Sequence, residues 1–97
     1  MRKIEEKMVN AVRNCKYFCE GNTKVEPTQG AVMVYLHGNL IFKKSRVNGC
    51  ADAFNMCGWN TPTTRSRLNA LGVGVYQKNF EAYRDGKPVP THGWVTI

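Results

Sequence analysis

The sequence predicts an α+β domain over residues 1–97, with two helices packed on an antiparallel sheet of four to five strands. Three observations support this class. A periodic apolar stripe opens the chain, runs of β-branched and aromatic residues flank turn signals, and a capped helical segment lies between the predicted hairpins. Consecutive hairpins with two helices are typical of a sheet whose helices cover one face.

The N-terminal segment predicts an amphipathic helix that ends at Gly21-Asn22. Most of its charged residues fall on the face opposite the apolar stripe, as expected for a helix packed on a core. Apolar residues recur at three- and four-residue steps and share one face: Ile4, Met8, Ala11, Val12, Cys15, Phe18 and Cys19.

The next segment predicts strands. Residues 23–26 form a short one, and residues 31–36 and 40–44 form a hairpin around His37-Gly38-Asn39. Val32, Val34 and Leu36 share one face and Met33 and Tyr35 share the other, so both faces are largely apolar and we expect a central position in the sheet or a covered second face. Residues 53–57 are compatible with a strand or a short helical turn; we favour a strand that carries Trp59 into the core.

The segment from Thr61 to Gly72 has the start and stop signals of a short helix. Thr61 suits the N-cap, and Pro62 suits the first helical position because its missing N–H needs no partner there. Leu68 and Leu71 point towards a core, and Gly72 suits the left-handed residue that ends a helix.

The last third predicts a second hairpin. Residues 73–78 alternate, and Asp85-Gly86 is a strong hairpin turn signal because both positions need positive φ. Pro88 and Pro90 place the returning segment at a sheet edge or in an extended loop, since neither donates to a ladder. The closing residues 94–97 are expected to pack against the core.

Composition limits the function classes. Fourteen Lys and Arg against seven Asp and Glu give a net charge of +7, which favours polyanions or acidic protein surfaces as partners. No apolar run approaches the ~20 residues that cross a bilayer. Glu5 and Glu6 interrupt any apolar leader, so we expect a cytoplasmic protein without membrane contact.

The four cysteines, Cys15 with Cys19 and Cys50 with Cys57, lack the tight spacing of common zinc sites. Two fall on the predicted helix stripe, where a thiol packs as a small hydrophobe. We expect buried free thiols and no metal, with zinc or a disulfide as alternatives.

Enzyme signatures are scarce. The carboxylates form no readable acid–base pair, and there is no phosphate loop, metal-binding helix or nucleophile elbow. A cysteine paired with His37 or His92 would make a nucleophile and base, but both histidines suit turns. We expect a non-enzymatic protein without a cofactor.

The start of the second helix is the main candidate binding site. Thr63, Thr64, Arg65 and Arg67 offer hydroxyl and guanidinium donors where backbone N–H groups favour an anion such as phosphate. The basic residues Lys43, Lys44 and Arg46 would extend the site if the hairpin end lies beside the helix. Unpaired bases of DNA or RNA would have stacking surfaces on Tyr35, Trp59 and Tyr76.

Residues 34–41, 58–71 and the opening 1–5 together resemble small uncharacterised accessory proteins of tailed bacteriophages. The resemblance covers most of the chain and implies action in the host cytoplasm, with no known activity or site residues. It supports a second hypothesis beside nucleic-acid binding: a non-enzymatic inhibitor or modulator that docks on an acidic surface of a host protein.

Overall fold

A computed structural model describes residues 2–97; Met1, the first residue of the predicted domain, lies outside the described residues. The elements have the following bounds. The helices are α1 (Lys3–Arg13) and α2 (Pro62–Ala70), and the strands are β1 (Phe18–Glu20), β2 (Thr23–Pro27), β3 (Ala31–Leu36), β4 (Asn39–Ser45), β5 (Ala53–Phe54), β6 (Val75–Lys78), β7 (Glu81–Arg84), β8 (Lys87–Pro88) and β9 (Val95–Thr96).

The strands form two antiparallel sheets. The larger has the order β1-β2-β3-β4-β5-β9, and the smaller has the order β6-β7-β8. The α+β class is therefore confirmed, whereas the strands outnumber the predicted four to five. The additional strands are two or three residues long, which is too short for an alternating pattern to be visible in the sequence.

The hairpin of β3 and β4 is the centre of the larger sheet, as predicted. His37 and Gly38 have φ of 51° and 79°, the pair of positive values that a two-residue hairpin turn requires. Val32, Val34 and Leu36 are buried and alternate along β3. A register shift beside Val34 allows consecutive residues Ile41 and Phe42 of β4 to be buried together.

The first helix is shorter than predicted. It ends at Arg13 because Cys15 takes a positive φ of 52° and the Lys16 N–H donates to the Ala11 carbonyl at 2.9 Å, as in a Schellman cap. The Gly21-Asn22 pair therefore turns between β1 and β2. The prediction that Cys15, Phe18 and Cys19 continue the helical stripe was wrong, since Phe18 and Cys19 pair with β2 instead.

The second helix matches its predicted signals. Thr61 is the N-cap, and its hydroxyl accepts from the Thr64 N–H at 3.2 Å. Gly72 has φ of 90°, and the Val73 N–H donates to the Leu68 carbonyl at 3.1 Å, which closes the helix. Leu68 is fully buried in the core.

Trp59 does not enter the core, so this prediction was wrong. Its side chain is 58% exposed, whereas Met56 is completely buried nearby in the chain. Cys57 and Gly58 both have positive φ, and this turn directs the chain outward after Met56. A Cβ on Gly58 would lie 2.6 Å from the His92 ring, so only glycine allows this close approach.

The last third contains one turn more than predicted. The Asp85-Gly86 turn is present with φ of 52° and 77°, but Asn79 and Phe80 form an earlier turn between β6 and β7. Pro88 lies on the edge strand β8, as its missing donor requires. At the chain end β9 pairs with β5, and Val95 packs against the core.

The larger sheet has one covered face and one open face. The helices supply Met8, Val12 and Leu68 to the same cluster as the inward residues of the strands. Val73, Val75 and Ala82 extend that cluster to the smaller sheet. On the opposite face of the larger sheet the described residues place polar and aromatic side chains together with Met33, and neither α1 nor α2 lies there, because both helices pack on the buried side.

Candidate nucleic-acid interface

The four predicted residues of α2 lie in different environments: Thr63, Thr64 and Arg65 are in the first part of the helix, whereas Arg67 is in its last turn. Thr64 is 1% exposed, and its hydroxyl bonds the Thr61 hydroxyl at 2.9 Å. The Arg65 guanidinium donates to the Asn60 carbonyl at 3.1 Å and to the Asn60 side chain. Thr63 is half-buried at the rim of a cavity. Thr63 and Arg65 are therefore the members of this set that remain near the surface.

Arg67 belongs to the interior. It is 3% exposed, and its guanidinium donates to Glu5 at 2.7 Å and to the Thr23 hydroxyl at 3.0 Å. Burial raises the pKa of Glu5, but donors from Ser66 and Arg67 and the charge of Arg67 hold that pKa below its ordinary value. Arg67 therefore joins α2 to α1 and β2 and is not available at the surface, unlike the phosphate donor that the sequence predicts.

The three basic residues of the strand are divided between faces. Lys43 pairs across the ladder with Met33 on the open face, whereas Lys44 pairs with buried Val32 and so points to the helix side. Lys44 also lies 3.6 Å from Asp52, and the Arg46 guanidinium donates to the Thr28 carbonyl at 2.7 Å. Adjacent strand residues point in opposite directions, so the predicted basic run is not one patch.

The helix start and the basic end of β4 are also far apart. The cavity beside α2 is lined by Asn39 and Ile41 at the beginning of β4, together with Thr61 and Thr63. At about 3.3 Å per residue, Lys44 lies about 16 Å along the strand from Asn39. The basic end of β4 therefore does not lie beside the start of α2, and the two predicted sets of residues do not form one site.

The open face brings together two aromatic rings with one lysine over each. The Lys24 ammonium lies 4.6 Å from the centroid of Tyr35, and the Lys43 ammonium lies 4.0 Å from the centroid of Trp94. Lys24 and Tyr35 are direct partners across β2 and β3. We use the name "open-face pairs" for these four residues.

Sequence reasoning found half of the open-face pairs. Tyr35 and Lys43 were predicted as binding residues, but Lys24 and Trp94 were not. Lys24 alternates with buried Thr23 and Val25, and this pattern identifies its face once the strand is assigned. Trp94 carries no such signal, because its place depends on β9 pairing with β5 across the sheet.

One acidic residue shares this face. Glu26 lies 3.7 Å from the Lys24 ammonium and pairs across the ladder with Met33. Lys24 thus has both a carboxylate and an aromatic ring as neighbours. The local balance is two lysines to one glutamate, so the face is weakly basic and its aromatic rings are its more distinctive property.

The cysteines are free thiols, but the prediction that they are buried was wrong for three of them. Cys15, Cys19 and Cys50 are exposed, and Cys57 is partly buried. Burial raises the pKa of Cys57, whose thiol donates to the Leu40 carbonyl at 3.2 Å. Within residues 2–97, no three His, Cys, Asp or Glu side chains cluster closely enough to hold a metal ion.

The fold and this surface define a small α+β protein with one helix-covered and one open sheet face. The chain belongs to the Kyanoviridae Gp96 protein family, whose model matches residues 1–96. Membership confirms the resemblance to small bacteriophage proteins. No match is found among curated proteins or among solved structures. Neither α1 nor α2 is long and apolar enough to cross a membrane.

Proposed function

We propose that this protein binds single-stranded nucleic acid across the open face of its larger sheet, in the cytoplasm of the host. The observation that carries the proposal is the arrangement of the open-face pairs, in which each aromatic ring has a lysine 4.0–4.6 Å from its centroid. Aromatic side chains on a sheet whose helices lie behind it are a common platform for unpaired bases. Lysines beside them supply the phosphate contacts.

The two rings lie at separate positions along one path. Tyr35 is on β3, and Trp94 immediately precedes β9, which is three strands away in the sheet order. Neighbouring strands are about 4.8 Å apart, so the rings are about 14 Å apart across the sheet. A short single strand crosses this span with one base on each ring. On binding, Lys24 and Lys43 move from the ring faces to the phosphates.

The helix start contributes less in this arrangement than the sequence alone indicates. Arg67 is buried, and Lys44 and Arg46 lie near Asp52 and the Thr28 carbonyl respectively. The net charge of +7 adds a sequence-independent attraction to any polyanion. Stacking on two rings then favours unpaired strands over duplex, since bases in a duplex are not free to stack on protein.

The test is a fluorescence-anisotropy titration with labelled single-stranded DNA, single-stranded RNA and duplex DNA at two salt concentrations. We expect single strands to bind more tightly than duplex. Trp94→Leu should weaken single-strand binding about 5- to 150-fold, the range for removal of one stacking ring. Lys24→Gln with Lys43→Gln should make the negative slope of log affinity against log salt shallower by about 1.4, because two phosphate contacts are lost.

The matched control removes the same charge from the other side of the molecule. Lys3 and Lys16 are both exposed near α1, so Lys3→Gln with Lys16→Gln lowers the net charge equally without touching the open face. We expect this variant to retain most of the affinity. Equal loss in the two double variants, or no binding of any nucleic acid at low salt, would contradict the proposal.

A second candidate function is docking on an acidic surface of a host protein, and the hairpin of β6 and β7 favours it. Phe80 at its tip is 91% exposed and has a positive φ of 65°, an unfavourable conformation for a bulky residue. Tyr76 and Tyr83 stack beside each other on this sheet at 5.9 Å. Lys78 is exposed beside the tip, opposite Glu81 in the ladder, and would meet carboxylates of a partner.

This alternative is tested by pull-down from nuclease-treated host lysate. Wild type, Phe80→Ser and the Lys24→Gln, Lys43→Gln variant are compared side by side. A protein retained by wild type and the lysine variant but lost with Phe80→Ser would support docking through the hairpin tip. Identical protein profiles for all three would count against it.

A further inference from the structure

A cavity of about 520 Å³ lies between the β3–β4 turn and the start of α2. This is within the range of about 300–1,000 Å³ that small-molecule sites occupy. Its apolar lining comes from Leu36, Ile41 and Met56, and the exposed ring of Trp59 forms a further part of the wall. An exposed tryptophan beside an apolar recess provides a surface on which a planar ring can stack.

The polar groups of this cavity suit the edge of a neutral ring. Among the described residues that line it, none is Asp, Glu, Lys or Arg. The Thr61 and Thr64 hydroxyls bond each other at 2.9 Å, which leaves the Thr63 hydroxyl and the Asn39 amide for a ligand, with the His37 ring at the side of the β3–β4 turn. An amide and a hydroxyl both donate and accept, as the edges of nucleobases require.

One residue at the end of the sheet is shared between the cavity and the side of the open-face pairs. His37 lines the cavity and also lines a second recess of about 360 Å³, which Lys24 and Tyr35 border. A strand that leaves Tyr35 at this end therefore passes His37 before it reaches Trp59.

We propose that this cavity binds one nucleobase, stacked on Trp59 with its edge against Asn39 and Thr63. The proposal rests on the proposed function in that the base belongs to the strand bound on the open face. It goes further by assigning a base-binding pocket, separate from the phosphate contacts, on the helix side of the sheet. Its lining predicts that a free nucleoside, which has no phosphate, binds there.

The experiment uses the full chain with Trp94→Phe, so that Trp59 is the remaining tryptophan of two. Its fluorescence is titrated with adenosine, cytidine, guanosine and uridine, and with ribose and inorganic phosphate as controls. We expect saturable quenching by at least one nucleoside and none by the controls. Adding Thr63→Val, which keeps the shape and removes the hydroxyl, should weaken that nucleoside about 2- to 10-fold. Circular dichroism checks that each variant is folded.

The Lys24→Gln, Lys43→Gln substitutions separate the two proposals. In the Trp94→Phe background they should leave nucleoside quenching unchanged while oligonucleotide affinity falls. Absence of nucleoside quenching, or quenching that Thr63→Val does not alter, would overturn the pocket even if oligonucleotides bind. Nucleoside quenching without any oligonucleotide binding would support the pocket and refute the proposed function.

Discussion

The buried pair of Glu5 and Arg67 provides the sharpest test of this fold. Both residues are 3% exposed, and their charged groups are 2.7 Å apart. Arg67→Met keeps much of the side-chain volume but leaves the Glu5 carboxylate buried without its cation. Breaking one partner of such a pair costs about 3–5 kcal/mol. A small domain has a free energy of unfolding of only about 5–15 kcal/mol, so a large part of it would be lost.

The effect should depend on pH in a defined direction. In the wild type the pKa of Glu5 is lowered from 4.5, so its stabilisation is present above that value and is lost as pH falls through the folded pKa. In Arg67→Met the guanidinium no longer offsets burial, so the pKa of Glu5 rises relative to wild type, although the Ser66 donor remains. Protonation then relieves the buried charge, so the stability difference from wild type should shrink between pH 7 and pH 4.

Urea denaturation followed by circular dichroism at pH 7 and pH 4 measures both effects. At pH 7 the midpoint should fall by about 1 M or more, given a slope of about 1–3 kcal/mol per molar urea. Glu5→Gln combined with Arg67→Met should recover part of the loss, because no charge stays buried. Arg65→Met is the control, since Arg65 is only partly buried and contacts Asn60. A cost no larger than that of the control, or one independent of pH, would refute this reasoning.

Three further predictions concern other parts of the molecule. Phe80→Gly creates an Asn79-Gly turn and should raise the free energy of unfolding by about 1 kcal/mol, because Phe80 has positive φ and is 91% exposed. A lower urea midpoint would contradict this. Cys57 should react with a disulfide reagent more slowly than the other three thiols at pH 8, because burial raises its pKa. Its reaction rate should rise at higher pH. A single fast phase for all four thiols would disprove this. Asn69→Ala should lower the free energy of unfolding by about 1–3 kcal/mol, measured by thermal or urea denaturation. The Asn69 side chain donates to the Val75 carbonyl at 2.8 Å and accepts from the Val75 N–H at 2.6 Å, and both bonds are lost. An unchanged midpoint would rule this out.

Much of the fold could be predicted from local patterns. The β3–β4 hairpin, the Asp85-Gly86 turn and the Thr61 cap each depend on a few adjacent residues with known φ or hydrogen-bonding preferences. The end of α1 could not, because its apolar periodicity continues past Cys15 into a segment that pairs with β2. Pairing with a neighbouring strand overrode the helical pattern.

The candidate site was predicted less well. Tyr35 and Lys43 were identified by residue type, but their neighbours Lys24 and Trp94 come from other strands and have no local signal. Arg67, in contrast, was predicted as a binding residue but is buried by a contact with a distant part of the chain. Its sequence position near the N-cap Thr61 suggested phosphate binding, yet Arg67 lies in the last turn of α2 and its partner Glu5 is 62 residues away.

By itself the sequence determined the α+β class, the basic charge, the phage relationship and the turns at His37-Gly38 and Asp85-Gly86. Only the tertiary structure decided which side chains are accessible. Adjacent Lys43 and Lys44 face opposite sides of the sheet, Trp59 is exposed and Arg67 is buried. The physical reason is the sequence separation of the interacting residues. Turns and caps are set by neighbours in sequence, whereas burial and pairing are set by residues brought together from distant parts of the chain.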